Sequence, residues 1–130
     1  MDLYVGKKAQ LSKTITSNDI EVFAELSMDR NPVHLDDDAA ANSVFKKRMS
    51  HGMLYGSFIS AVIANELPGP GSIYMKQDFS FLKPVYIGDT VTAVVEILDI
   101  PKDSVYKLLT QCFNQNNELV IDGTALILRK

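Results

Sequence analysis

The chemistry in this chain is concentrated in Asp29-Arg30-Asn31-Pro32-Val33-His34, where a carboxylate, an amide and an imidazole lie within six residues. A carboxylate and an imidazole that share a pocket can serve together in general acid/base chemistry. Pro32 pushes Asn31 out of the helical region, so the chain is expected to leave the preceding helix in an extended turn that lets Asp29 and His34 converge. The plainer reading is that Asn-Pro ends a helix, Asp29 accepts backbone bonds and His34 is a partly exposed loop residue. Taken alone, the cluster favours the plainer reading.

A second element changes the weighting. His51-Gly52-Met53 stands at the start of an apolar helical stretch, where unpaired N–H groups and the helix dipole favour negative charge. Lacking a side chain, Gly52 lets a carbonyl oxygen approach its N–H. It equally permits tight packing of a buried helix on a sheet, and the two readings stand level. His51 reads first as a structural histidine and second as a contributor to a pocket. Lys46-Lys47-Arg48 reads as a solvated charge run, with contact to substrate phosphates as its alternative. Met53, Tyr55, Phe58, Phe79 and Phe81 could line a tunnel for an apolar ligand, but their spacings make them core residues first, and Phe79 and Phe81 are the two placed near a ligand.

These residues need elements to position them. Thr16-Ser17-Asn18-Asp19 is a capping signature, and Ile20, Phe23, Ala24 and Ser27 follow one helical face that ends before Asn31-Pro32. From Gly52 to Leu67, the residues Met53, Leu54, Phe58, Ile59, Val62, Ile63 and Leu67 leave little polar face, so this helix belongs inside. Beyond Pro68-Gly69-Pro70-Gly71 the period becomes two. Ile73, Met75, Phe79 and Phe81 alternate with polar residues, as do Val91, Ala93, Val95 and Ile97. Two more strands, about Ser104 to Asn114 and Leu119 to Leu128, are joined by the turn cluster Gln115-Asn116-Asn117. The last four strands are expected to form an antiparallel meander, completed by a strand near Lys8 to Ile15. The architecture is α+β: a sheet of about five strands wrapped around a central apolar helix.

With 130 residues, 46% of them hydrophobic, the chain is expected to form one domain over residues 1–130. A net charge of -3 leaves no basic footprint for nucleic acid. Cys112 is the only cysteine, which rules out an internal disulfide and a cysteine metal site. The two histidines are read as having no convergent ligand set, so no metal is expected. Met1 to Gln10 lacks the apolar core of a secretory signal, and the stretch Met53 to Ala64 is too short to span a bilayer. A cytoplasmic protein that makes no membrane contact is expected, its partners small molecules or copies of itself.

The run Asp29 to His34, followed by Ala39, His51-Gly52-Met53 and Ser60, resembles the signature of MaoC-like (R)-specific enoyl-CoA hydratases, which have the hot-dog fold. The resemblance continues through Leu67-Pro68-Gly69, Gly71-Ser72-Ile73-Tyr74, Phe79, Phe81, Pro84, Val85, Gly88-Asp89 and Val91, covering roughly residues 20 to 97. It implies that Asp29 and His34 are the catalytic pair, Asn31 a positioning residue, the Gly52 N–H an oxyanion donor and Ser60 a supporting residue on the helix. It further implies an acyl-CoA thioester substrate, no cofactor beyond the substrate's own CoA, and a homodimer. In the working assignment Asp29 takes the proton of water and His34 protonates C2, with the two treated as one coupled device. Met28 stands where the family often has glycine, and Ser50 where an aliphatic residue usually precedes the His-Gly pair. A hot-dog acyl-CoA thioesterase is the nearest rival. It needs a helix carboxylate, but Glu66 lies at the far end from Gly52. A non-catalytic acyl-CoA-binding module leaves the Asp-x-Asn-Pro-x-His run without a purpose.

Overall fold

The computed structural model describes residues 2–130, so Met1, the first residue of the expected domain span, lies outside them. In chain order the elements are β1 (Lys8–Thr14), α1 (Ser17–Ser27), α2 (Pro32–Leu35), α3 (Asp37–Ala41), α4 (Gly52–Asn65), β2 (Ile73–Gln77), β3 (Ser80–Phe81), β4 (Thr90–Lys102), β5 (Val105–Phe113) and β6 (Leu119–Leu128). The strands form one antiparallel sheet in the order β1-β4-β5-β6-β2, with β3 also paired to β6.

The sheet packs on α4 through β1, β4 and β5. Val91, Ala93, Val95 and Ile97 of β4 alternate inward with no solvent exposure, as do Leu108 and Cys112 of β5 and Ile121 and Ile127 of β6. They meet Leu54, Phe58, Ile59, Val62 and Ile63 of α4 in a single apolar cluster. Each such side chain contributes about 1.5–3 kcal/mol on burial, which is why α4 belongs inside despite its two glycines and its serines.

Two details differ from the sequence expectation. The sheet has six strands, and its meander is β4-β5-β6 alone. β4 is occupied on one side by β1, in the register Lys8↔Glu96 to Thr14↔Thr90, and on the other by β5, so the segment after Ser72 crosses to the free side of β6. That segment is also divided. β2 shifts register between Tyr74 and Lys76, and Asp78 then leaves the ladder and clasps β6, its Oδ2 accepting from Thr124 Oγ1 at 2.7 Å. Gly123 makes the clasp possible, because a Cβ there would overlap the Asp78 carbonyl oxygen. Alternation reveals a strand but carries no record of its partner.

Candidate active site

α1 is opened by a complete capping box between Thr16 and Asp19 and closed by Met28 in the left-handed region, at φ 67°. A glycine adopts that conformation without steric cost, which accounts for the family's preference at this position; methionine tolerates it with its side chain in solvent. Ser50, the second departure, is fully buried, and its hydroxyl is satisfied by the His51 carbonyl at 3.1 Å.

After Met28, Asp29 Oδ1 accepts from the Asn31 N–H at 3.4 Å, and Asn31 Oδ1 accepts from the Val33 N–H at 3.2 Å. Residues 28–31 lie outside any helix, and Asn31, with ψ 125°, is extended immediately before Pro32. Pro32, incompatible with a helix behind it, is well placed as the first residue of one, so residues 32–35 form the helical turn α2 with Asn31 as its cap. His34 projects from that turn and is 8% exposed. Its Nδ1 lies 2.7 Å from the Met49 carbonyl, and its own carbonyl accepts from Arg48 Nε at 2.7 Å. Met49 is in turn held by a bridge to Tyr86.

A carbonyl only accepts, so His34 Nδ1 carries the hydrogen and the neutral ring keeps its lone pair on Nε2. Burial lowers the His34 pKa below the ordinary imidazole value of 6.5. The Met49 carbonyl opposes that shift, His51 adds to it and the Asp29 carboxylate opposes it, and the net direction is down. His34 is therefore neutral near pH 7.

Gly52 is the first residue of α4, and no side chain caps that helix end. A Cβ on Gly52 would fall 2.5 Å from Phe81 Cε1, and one on Gly56, a turn further on, 3.1 Å from Phe79 Cε2. The two glycines are slots for the two phenylalanines, whose rings meet edge to face at 5.9 Å. Tight packing is thus a demonstrated use of Gly52. The residue also lines a cavity of about 480 Å³ together with Asp29, His34, His51, Met53 and Phe81. Asp29, His34 and His51 each present one ligand-type atom there, all within 4.8 Å of one another. The expectation that the two histidines do not converge is therefore corrected, because α2 folds back onto the start of α4. Each imidazole commits one nitrogen to a backbone carbonyl, His34 to Met49 and His51 to Asp29.

The remaining candidates divide. Met53 borders this cavity and a neighbouring one of about 460 Å³, which contains Ser60, Phe79 and Tyr74. Ser60 is therefore two turns away from the first cavity, beside Tyr74, whose phenol burial pushes up to about 12. Lys46-Lys47-Arg48 is not one solvated face. Arg48 turns inward to His34, Lys47 Nζ sits 4.4 Å over the Tyr86 ring, and Lys46 is exposed. Tyr55, which the sequence reads as a core residue, and Pro84, part of the family resemblance, also line the first cavity, as do Phe45, Leu82 and Lys83, which were not singled out from the sequence. Nor was the Met49 carbonyl, which no side-chain pattern reveals.

A sheet wrapped on one buried helix, with an acid/base cluster at that helix's N-terminus, defines a hot-dog domain with an enzyme-like site. Residues 5–112 match the model of the MaoC like domain, and the chain belongs to that family. It is 46% identical to an (R)-specific enoyl-CoA hydratase of Rhodospirillum rubrum, over 98% of this chain and 88% of that one. It is 37% identical to a mitochondrial 3-hydroxyacyl-[acyl-carrier-protein] dehydratase of Arabidopsis thaliana, over 95% of this chain and 75% of the relative. The structure of the (R)-hydratase of Aeromonas caviae involved in PHA biosynthesis superposes with a TM-score of 0.95 at 42% identity, covering 98% of both chains.

Proposed function

We propose that this chain is an (R)-specific enoyl-CoA hydratase that adds water reversibly to trans-2-enoyl-CoA to give the (R)-3-hydroxyacyl-CoA. The observation that carries this reading is the convergence of Asp29, His34 and Gly52 on one cavity, in a chain so similar to hydratases. Water sits between the Asp29 carboxylate and His34 Nε2. Because the bond to Met49 leaves Nε2 with a lone pair, His34 takes the proton of water as its oxygen attacks C3. The imidazolium then returns that proton to C2 on the same face, while Asp29 orients the water and stabilises the transient charge. This revises the working assignment, in which Asp29 was the base. The Gly52 N–H, at the positive end of α4, receives the developing thioester oxyanion. Asn31 acts through α2, as the cap of the turn that bears His34.

The reading includes one domain over residues 1–130, a homodimer, catalysis by protein groups without metal or added cofactor, and a cytoplasmic location. Among the described residues no helix is long and apolar enough to cross a membrane. The similarity to the plant dehydratase favours a second reading, in which the thioester is borne by a carrier protein.

The test is loss of enoyl-thioester absorbance on mixing the protein with crotonyl-CoA, with chiral analysis of the product and an Asp29→Asn control. Formation of (R)-3-hydroxybutyryl-CoA that disappears in the control is expected. Release of free CoA instead points to the thioesterase, and turnover of crotonyl carrier protein alone points to the second reading.

A further inference from the structure

His51 belongs to the converging cluster yet has no step in the reaction above. It is 2% exposed, and its ring lies against that of His34, with centroids 4.0 Å apart and planes 30° apart, and meets the tilted ring of Phe23 of α1 at 5.0 Å. Its Nε2 lies 2.8 Å from the backbone carbonyl of Asp29. That carbonyl only accepts, so Nε2 must carry the hydrogen. The other nitrogen, Nδ1, is buried and has no partner.

Two consequences follow from this geometry. An N–H at Nδ1 would be buried without an acceptor, whereas one at Nε2 meets the Asp29 carbonyl, so the tautomer this site selects carries its hydrogen on Nε2. The side chain of Asp29, for its part, is exposed, and the one bond its carboxylate makes is the 3.4 Å contact with the Asn31 N–H. What places the carboxylate is therefore the backbone at Asp29, and the His51 bond joins that backbone to the residue immediately before Gly52.

We infer that His51 is a positioning residue, a fixed Nε2–H donor that pins the Asp29 peptide to the start of α4 and lies against the ring of His34. The inference rests on the reading of Asp29 and His34 as the reacting pair. It goes beyond that reading by assigning the group that holds the carboxylate, the imidazole and the oxyanion donor in register. Misplacement of reacting groups by an ångström costs on the order of 10²-fold in rate.

Two substitutions separate donor from ring. His51→Phe keeps the stacked ring and loses the donor, whereas His51→Gln keeps an N–H at the position of Nε2 and loses the ring. The expected result is a fall in kcat of about ten- to a hundred-fold for His51→Phe, with KM for crotonyl-CoA within about two-fold of wild type, and recovery of most of kcat in His51→Gln. Wild-type kcat in His51→Phe overturns the inference, as does a His51→Gln variant no better than His51→Phe. A second readout is independent of turnover. The chain has two histidines, so its imidazole ¹⁵N spectrum is simple. At pH 7 His51 is expected as the Nε2–H tautomer and His34 as the Nδ1–H tautomer, and the Asp29 ¹³C′ resonance should move in His51→Phe and return in His51→Gln. A neutral His51 whose hydrogen is on Nδ1 also overturns the inference. If the wild-type protein hydrates no enoyl thioester, the proposed function fails, while the tautomer and the Asp29 resonance still decide whether His51 holds the loop.

Discussion

His34 carries two predictions that share one physical cause. Its burial favours the neutral ring, so its pKa in the folded protein lies below 6.5. In the proposed mechanism the neutral ring supplies the lone pair that takes the proton of water, so kcat/KM should fall along an acid limb centred below pH 6.5. A limb centred at 6.5 or higher contradicts His34 as the base. The groups that face this ring are Asp29, His51 and the Met49 carbonyl, with Arg48 on its backbone oxygen. The same shift links folding to pH. As pH drops below 6.5 the unfolded chain binds the proton first, so stability is lost through the window between 6.5 and the lower folded pKa. The urea midpoint should decline over that window in the wild-type protein and decline less in His34→Gln. For the chemistry itself, Asp29→Asn and His34→Ala should each lose about 10² to 10⁴ in kcat while keeping a cooperative unfolding transition. Near-normal turnover by either variant removes the mechanism.

At the scale of elements, the site depends on how α4 and the β2–β3 segment interlock. Gly52→Ala places a methyl group against the ring of Phe81, a residue half exposed to solvent and therefore able to shift. The expected result is a folded protein with reduced kcat, because the displaced ring enters the cavity that Gly52 and Phe81 both line, beside the proposed oxyanion donor. Adding Phe81→Leu should recover activity, and a double-mutant cycle gives the coupling between the two positions. If Gly52→Ala and Phe81→Leu add independently, the slot has no bearing on the site. The end of α1 offers a change of opposite sign. Met28 has φ 67° and an exposed side chain, so Met28→Gly should stabilise the protein by about 0.5–1 kcal/mol in urea unfolding. An unchanged or lower midpoint shows that the methionine is not strained there.

At the scale of the molecule, β2 forms an edge of the sheet and exposes Ile73, Tyr74 and Met75. An edge of this kind is a template for strand pairing, and the proposed homodimer gives it an occupant. Sedimentation should find a dimer at micromolar concentration, converted to monomer by Ile73→Lys with Met75→Lys. A wild-type monomer counts against the dimer, and a dimer that survives both lysines places the interface elsewhere.

The sequence by itself determined the elements whose signals are local. The capping box of α1, the all-apolar α4, the alternation of β4, β5 and β6 and the motif containing Asp29 and His34 depend on neighbours a few residues apart. The tertiary structure alone decided which strand lies beside which, because a period of two exposes a face without naming a partner, and β1 had already taken the side of β4 that a meander required. It also decided the chemistry of the two histidines. Both tautomers are set by backbone carbonyls, those of Met49 and Asp29, and a backbone oxygen is present at every residue, so no residue type marks the one that will accept the bond. The turn on which His34 sits lay between these cases. Asn31-Pro32 announced a break, but that the break opens α2 and turns His34 onto His51 depended on where α4 begins in space.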